Sequence, residues 1–357
     1  DVCSSDLYNN QRYSIILKII DSGAVHAVIE SRGILLYNDA GPSTEFLNTI
    51  NEFNGKFRIF DNNNNVTLEL TSDIILTDPS QSYLILLDIS GREDNILTFN
   101  GRNHTIYLDY DEEKKHGIQN WRGLFNCDSS MNIVIKDIHI RCLDNRVSCY
   151  PGYGYIVSNK ARGNINISYC SVHGIIPNRG GGLIGSEYGK HDTIINIDKC
   201  NSSGILLPLA GGIIGYSIQD DSQEKTVHIK ITNSFSTANQ LEYNSSTNNN
   251  TFRAKYNGST PPPSPPNTIN ISSLSIDELS SLSDNIKISS GGIISFIQYN
   301  KTHTDSSMSL IIEGCYSSGV ISSYGGGIIG AFHVEDHSGN DTIVLDVNNC
   351  FSIGNHI

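Results

Sequence analysis

Apolar and polar residues alternate in short, β-branched runs along much of this chain. Phe57 to Ile59, Val66 to Leu70, Ile74 to Leu76, Tyr83 to Leu87, Ile96 to Phe99, Thr105 to Leu108 and Ile133 to Ile140 read as strands, most of them punctuated by Asn, Asp or Gly. Farther along, the runs become a repeated phrase, Ile-x-Ile-x-x-Cys. It spans Ile165 to Cys170, Ile195 to Cys200, Ile229 to Ser234, Leu310 to Cys315 and Leu345 to Cys350. A second phrase, Gly-Gly-Ile-Ile-Gly, recurs at Gly181 to Gly185, Gly211 to Gly215, Gly291 to Ser295 and Gly326 to Gly330. Cys170, Cys200 and Ser234 stand 30 and 34 residues apart, as do Cys315 and Cys350 at 35. The interval from Ser234 to Cys315 is 81 residues and holds an insertion. Self-similarity at such a period is the mark of stacked coils.

The phrases predict an all-β, right-handed, single-stranded parallel β-helix from about residue 57 to 357. In such a coil each inward side chain stacks on its counterpart about 4.8 Å away. Ile167, Ile197, Ile231, Ile312 and Val347 then form one internal column, and Ile138 takes the place of the later cysteines. Asn100 and Gly101 lie between apolar stretches as a hairpin turn would, but antiparallel hairpins have no reason to keep the longer repeat in phase. The paired glycines fit either a corner with positive φ or a close approach of two backbones. Arg179 to Gly182 lacks the Lys-Ser/Thr that completes a phosphate-binding loop.

Residues 8–56 are expected to hold short strands, at Tyr13 to Ile20, Ala24 to Ile29 and Gly33 to Tyr37, and a capping helix. That helix starts at Ser43 or Thr44, and its Phe46, Leu47 and Ile50 cover the open end of the stack. Residues 1–7 can be reverse-translated to the end of a common sequencing adapter. They are set aside, Cys3 included, as an artefact of read assembly. Residues 240–285 interrupt the coils with an Asn/Ser-rich tract, a proline run from Pro261 to Pro266 and a short helix at Ser275 to Leu282. This insertion is expected to be mobile. The last coil is left open at residue 357, so further coils of the same protein are expected beyond it.

Composition narrows the function. The chain has 357 residues with 24 Lys and Arg against 37 Asp and Glu, a net charge of −13. No basic run offers the clustered cations that nucleic acid requires. The longest apolar runs, Tyr13 to Ile20 and Gly204 to Tyr216, fall short of the ~20 residues of a spanning helix. The periodic cysteines read as small, reduced core fillers, because stacked Cβ vectors suit contact better than disulfide torsion. They lack the paired spacing or companion histidines of a zinc site. A loop bridge between Cys142 and Cys149 stays open.

Cys-x-Ser-x-Gly followed by Gly-Gly-Ile-Ile-Gly-Tyr resembles the GLUG-type repeat of surface adhesins and secreted stalk proteins, over roughly residues 160–357. The resemblance implies a right-handed parallel β-helix and an extracellular or surface-exposed setting. It leaves the partner open, a glycan or a surface protein, because the hydrophilic stretches after the glycines depart from the compact family repeat. Of ten Asn-x-Ser/Thr sequons, Asn244, Asn249 and Asn257 are the expected glycan carriers on a eukaryotic secretory route.

Two functional classes follow. In the first, the chain is a structural or adhesive stalk whose loops display Tyr188, Tyr216, Tyr299, Phe332 and His333 along one edge. In the second, it is a β-helix polysaccharide lyase or glycoside hydrolase. Asp198 and Glu313 then share one outward slot two coils apart, about 9.6 Å, near the upper limit for an inverting pair. Asp220, Asp221, Glu335 and Asp336 follow the glycine corners and offer oxygen ligands for Ca²⁺ without a full loop signature.

Overall fold

The computed structural model describes residues 15–19, 25–30, 33–38, 57–62, 65–76, 85–89, 96–111, 113, 116–118, 121–126, 132–144, 147, 149–188, 192–220, 226–240, 242–243, 251–253, 269–270, 290–301, 307–319, 321, 325–336 and 343–353. The described residues are all-β, and their parallel strands stack as a β-solenoid. Each of the later coils contributes to three faces. The first is the Ile-x-Ile strand, the second follows the cysteine, and the third begins at the glycine pair.

On the first face the register is unbroken from Asn65–Leu70 through Ile96–Leu108, Asn132–Cys142, Gly163–Ser168, Thr193–Asp198, Thr226–Thr232 and Ser307–Glu313 to Ile343–Asn348. Phe99, Ile135, Ile167, Ile197, Ile231, Ile312 and Val347 therefore occupy one column. All but Val347 are buried. Val347 is 43% exposed, since no further coil covers it among the described residues. Period-two alternation puts these side chains inside and the residues between them outside.

Between the first and second faces the backbone turns on a residue with positive φ. These are Asp137, Tyr169, Lys199, Asn233, Gly314 and Asn349. The next residue points inward, giving the column Ile138, Cys170, Cys200, Ser234, Cys315 and Cys350. Its N–H also faces inward at the corner. The Cys170 N–H donates to Cys200 Sγ at 3.4 Å, and the Cys200 N–H donates to Ser234 Oγ at 3.1 Å. The Cys200 thiol in turn donates to the carbonyls of Asp198 and Ile167. From Cys170 onward the slot is filled by cysteine or serine, and at Cys200 and Ser234 that small side chain also accepts the buried N–H of the preceding coil. These thiols are free, as are Cys142 and Cys149. The Cys142 thiol sits against the Tyr155 hydroxyl at 3.5 Å, and Cys149 donates to the Trp121 carbonyl at 3.0 Å. Burial pushes the Cys142 thiol up to about 12.

A substitution series follows from this ladder. Cys200→Ser keeps the acceptor and is expected to be near neutral. Cys200→Ala strands the Cys170 N–H and should cost about 1–3 kcal/mol. Guanidinium unfolding of the two variants checks this, and equal losses would show that Cys200 acts only as filler.

The glycine pairs resolve to close backbone approach. A Cβ on Gly182, Gly212 or Gly292 would collide with the carbonyl oxygen of Gly212, Gly292 or Gly327 on the next coil. None of the eight glycines in these four pairs has positive φ. Parallel bridges join Gly181 to Gly211, Gly211 to Gly291 and Gly291 to Gly326, with Ile184, Ile214 and Ile294 in step beside them.

Several expectations are refined. The Asn100-Gly101 segment is a bend with irregular register inside the continuous strand Ile96–Leu108, which pairs in parallel with Asn132–Cys142. The solenoid begins with an antiparallel pair, Phe57–Asn62 against Asn65–Leu70, so parallel stacking starts at the second of these. Ile15–Ile19, Val25–Glu30 and Gly33–Asn38 form an antiparallel sheet with Ile85–Ile89. The capping helix at residues 43–50 lies outside the described residues. So does most of the insertion, where Glu242–Tyr243, Thr251–Arg253 and Ile269–Asn270 pair antiparallel.

Candidate functional site

The outer surface of the coils is where chemistry can be displayed, since the interior is filled by stacked aliphatic side chains. On the first face, Ser168, Asp198, Thr232, Glu313 and Asn348 are in register, so the two carboxylates share one outward column with Thr232 between them. Asp198 accepts from Thr232 Oγ1 at 2.7 Å and from Asn233 Nδ2 at 2.9 Å, and Lys199 Nζ lies 3.9 Å away. Burial raises its pKa, but the Asn233 and Thr232 hydrogen bonds, with Lys199 and Lys230, outweigh that and hold the carboxyl below its ordinary value. An inverting pair needs one carboxyl kept protonated. The surroundings of Asp198 favour the anion, which suits the base of such a pair and not its acid. In the neighbouring column Asn196 donates to Asn166 at 3.0 Å and Asn166 to Asn164 at 3.1 Å, and Lys230 is in register with Asn196 on the next coil.

After three of the four glycine corners the chain runs on as a strand. Ser217–Asp220 pairs in parallel with Ile294–Lys301, which pairs with Ile329–Asp336. Tyr299 aligns with Val334, His333 with Gln298 and Phe332 with Ile297, so these residues are staggered across a small sheet. Tyr188 is fully buried and Tyr216 is 4% exposed. Both are turned into the core just after the corner, ahead of any strand, and so offer no solvent-facing surface to a row with the others. Phe332 packs half-buried against the core. The side chains of Tyr299 and His333 lie outside the described residues, as do Asn244, Asn249 and Asn257. Asp220, Glu335 and Asp336 fall within these strands, while Asp221 is not described. Among the described residues no three His, Cys, Asp or Glu side chains converge on a metal position.

The second face brings together residues that the sequence does not connect. His139 Nδ1 lies 2.7 Å from Ser171 Oγ, and His173 Nδ1 lies 2.9 Å from Ser203 Oγ. Each pair joins adjacent coils, and Arg141, His173 and Ser203 share one register position. Burial holds the His139 imidazole low against the opposing pull of Asp137 and Asp73, and burial and then Arg141 do the same for His173. Neutral imidazoles beside hydroxyls have the form of a base and nucleophile. On a flat parallel face, however, backbone N–H groups lie in the sheet plane and are taken by the ladder. Among the described residues, the backbone N–H groups of this face are therefore not aimed outward at these hydroxyls.

In the same column as Ser171 and Asn201 come Phe235, Tyr316 and Phe351. Their rings stack at 4.7 and 5.4 Å within 7° of parallel. The stack turns ring faces toward one another, so within it only ring edges meet solvent.

A different arrangement runs along the edge where the second face turns into the third. Arg122 Cζ lies 5.3 Å from the centre of the Tyr150 ring, which meets the Tyr153 ring edge-on at 5.3 Å. The Tyr150–Tyr153 turn is bonded to the following one, with Gly152 N–H donating to the Asn178 carbonyl at 2.8 Å. There Arg179 Cζ stands 5.4 Å over the Tyr216 ring, whose other neighbour is Phe296, stacked at 5.1 Å. Arg179 Nε is buried without a hydrogen-bond partner. Tyr150 is 41% exposed. This edge therefore offers guanidinium groups and aromatic surface together. No family model matches the chain, and no curated protein or solved structure matches it either.

Proposed function

We propose that the chain is a stiff stalk, surface-exposed or secreted, that carries adhesive contacts to a glycan or a surface protein along its edges. The observation that carries this reading is the single register kept by the inward columns from Phe99 to Val347. In such a stack each coil rests on its neighbours, so length grows coil by coil and the rod resists bending. The GLUG-type phrases point the same way. The reading takes in the expected N-glycans and further coils, and it needs no cofactor.

The second reading is a polysaccharide lyase or glycoside hydrolase. What favours it is the shared column of Asp198 and Glu313. A glycan array, run beside a reducing-end assay on neutral and anionic polysaccharides, separates the two. Binding without turnover is the expected result. Turnover that disappears in Asp198→Asn or Glu313→Gln would replace the stalk with an enzyme.

A further inference from the structure

We propose that the edge formed by Arg122, Tyr150, Tyr153 and Arg179 binds an acidic polysaccharide whose carboxylates are spaced along an extended chain. This names a ligand class for the adhesive stalk and rests on that reading.

The first ground is charge. In a chain of net charge −13, two guanidinium groups come to one edge, and both lie over tyrosine rings. A guanidinium presents a planar fork of donors that matches a carboxylate in two parallel hydrogen bonds. Stacking on a ring fixes the plane of that fork before a ligand arrives, which lowers the entropy lost on binding.

The second ground is spacing. Tyr150 N–H donates to the Trp121 carbonyl, and Gly152 N–H donates to the Asn178 carbonyl, so Arg122 and Arg179 lie two coils apart. At about 4.8 Å per coil, and with Arg179 set two residues farther along the coil, their backbones are at least about 9.6 Å apart. Nucleic acid carries a charge every ~1.7 Å of duplex and requires dense clusters of cations. Two well-separated guanidinium groups suit a sparser polyanion. The overall negative charge, screened beyond ~8 Å at physiological ionic strength, further disfavours a densely charged partner.

The third ground is surface. Tyr150 is 41% exposed beside Arg122, and Tyr153 supports its ring edge-on. A rigid aromatic side chain beside a charged donor offers stacking area to a sugar ring at small entropic cost. Tyr153 also has Glu187 beside it, and that carboxylate limits the stretch over which an anionic chain is welcome.

The test is calorimetric titration of the full chain with polygalacturonate, dextran and an oligo-dT strand, at low and at physiological salt. Expected is salt-sensitive binding of polygalacturonate and none of dextran. Arg122→Gln should weaken it about tenfold or more, the loss of one charge-assisted pair. Arg122→Lys should retain part of the affinity, and Tyr150→Ala should reduce it. Arg122 and Tyr150 are exposed, so these changes leave the core intact. Arg179→Lys serves as the milder change at the partly buried position. Absence of polygalacturonate binding, affinity unchanged in Arg122→Gln and Tyr150→Ala, or equal affinity for oligo-dT would each overturn the site. Neutral glycans bound on the array without polygalacturonate would remove this site and leave the stalk. Polygalacturonate bound through Arg122 and cleaved would keep the site and remove the stalk.

Discussion

Gly212→Ala should destabilise the coils around it by at least about 3 kcal/mol, although it adds a single methyl group. The new Cβ would fall on the Gly292 carbonyl oxygen and on the Ser236 side chain. A flexible side chain can rotate away, but the Gly292 carbonyl belongs to the backbone of the next coil. That coil is tied down: Gly212 N–H donates to Gly291 at 3.1 Å, Ile213 N–H to Ile293 at 2.8 Å and Gly292 N–H to Gly326 at 3.0 Å. Moving it would leave buried backbone groups unpaired at about 1–3 kcal/mol each. The fifth position of the same phrase is a useful contrast. Ser295 already stands where other coils place Gly185, Gly215 and Gly330, and its hydroxyl donates to the Leu209 carbonyl. At Gly215 a Cβ would meet the Arg179 carbonyl oxygen at 2.6 Å and the Gly180 and Gly181 backbone. Gly215→Ser should therefore also cost stability, but less than Gly212→Ala, whose Cβ comes closer still to a carbonyl oxygen. Denaturant unfolding with hydrogen exchange at residues 212 and 213 measures both. A loss below about 1 kcal/mol in Gly212→Ala would mean that the third face is loosely packed.

These two positions also show what the sequence could reveal. A residue repeated at the coil period must face the same surroundings in every coil, so Ile167, Ile197 and Ile231 announce a column, and Cys170 and Cys200 another. Which physical demand a repeated glycine meets is less visible. Gly182 and Gly212 need space for a carbonyl, while the positive φ belongs to Tyr169, Lys199, Asn233 and Asn349. Of those four, only the asparagines carry a residue preference that hints at it. The stretches after Gly215 and Ser295 look like loops because they are polar. They are strands because each coil supplies a partner edge to the next. At Phe57–Asn62 and Asn65–Leu70 two intervening residues suffice for a hairpin, a local signal that the longer repeat obscured.

The outer site was legible only as far as register could be counted. Asp198 and Glu313 occupy equivalent places in their phrases, and the fold keeps them in one column. Their environment is not written in that spacing: Asn233, the corner residue of the next coil, is what makes Asp198 a fixed anion. His139 with Ser171, and His173 with Ser203, lie 32 and 30 residues apart in different phrases. Only the pairing of coils connects them. Arg122 and Tyr150 lie outside the repeated phrases altogether, so nothing periodic draws attention to the edge they form.

Ile197→Ala should cost about 2–5 kcal/mol, and its coupling to other positions should reveal how far a defect travels along the stack. Ile197 pairs directly with Ile231 in one direction and with Ile167 in the other, and all three are buried. Truncating it opens a cavity whose walls are those two side chains. The rigid ladder on either side prevents the coils from closing over it, which places the cost toward the upper part of that range. In the double variant Ile197→Ala with Ile231→Ala, the two cavities merge. The coupling energy should then fall in the range of about 0.5–3 kcal/mol seen for residues in contact. Ile135 and Ile312 sit in the same column but are separated by Ile167, Ile197 and Ile231. Their double variant should be additive within about 0.5 kcal/mol. Hydrogen exchange supplies the spatial readout, with protection lost in the coils flanking residue 197 and retained near Ile135. Long-range coupling of Ile135 to Ile312 would instead mean that the column unfolds as one cooperative unit. Such a rod would break all at once, whereas nearest-neighbour coupling lets a stalk lose one coil while its remaining coils stay stacked.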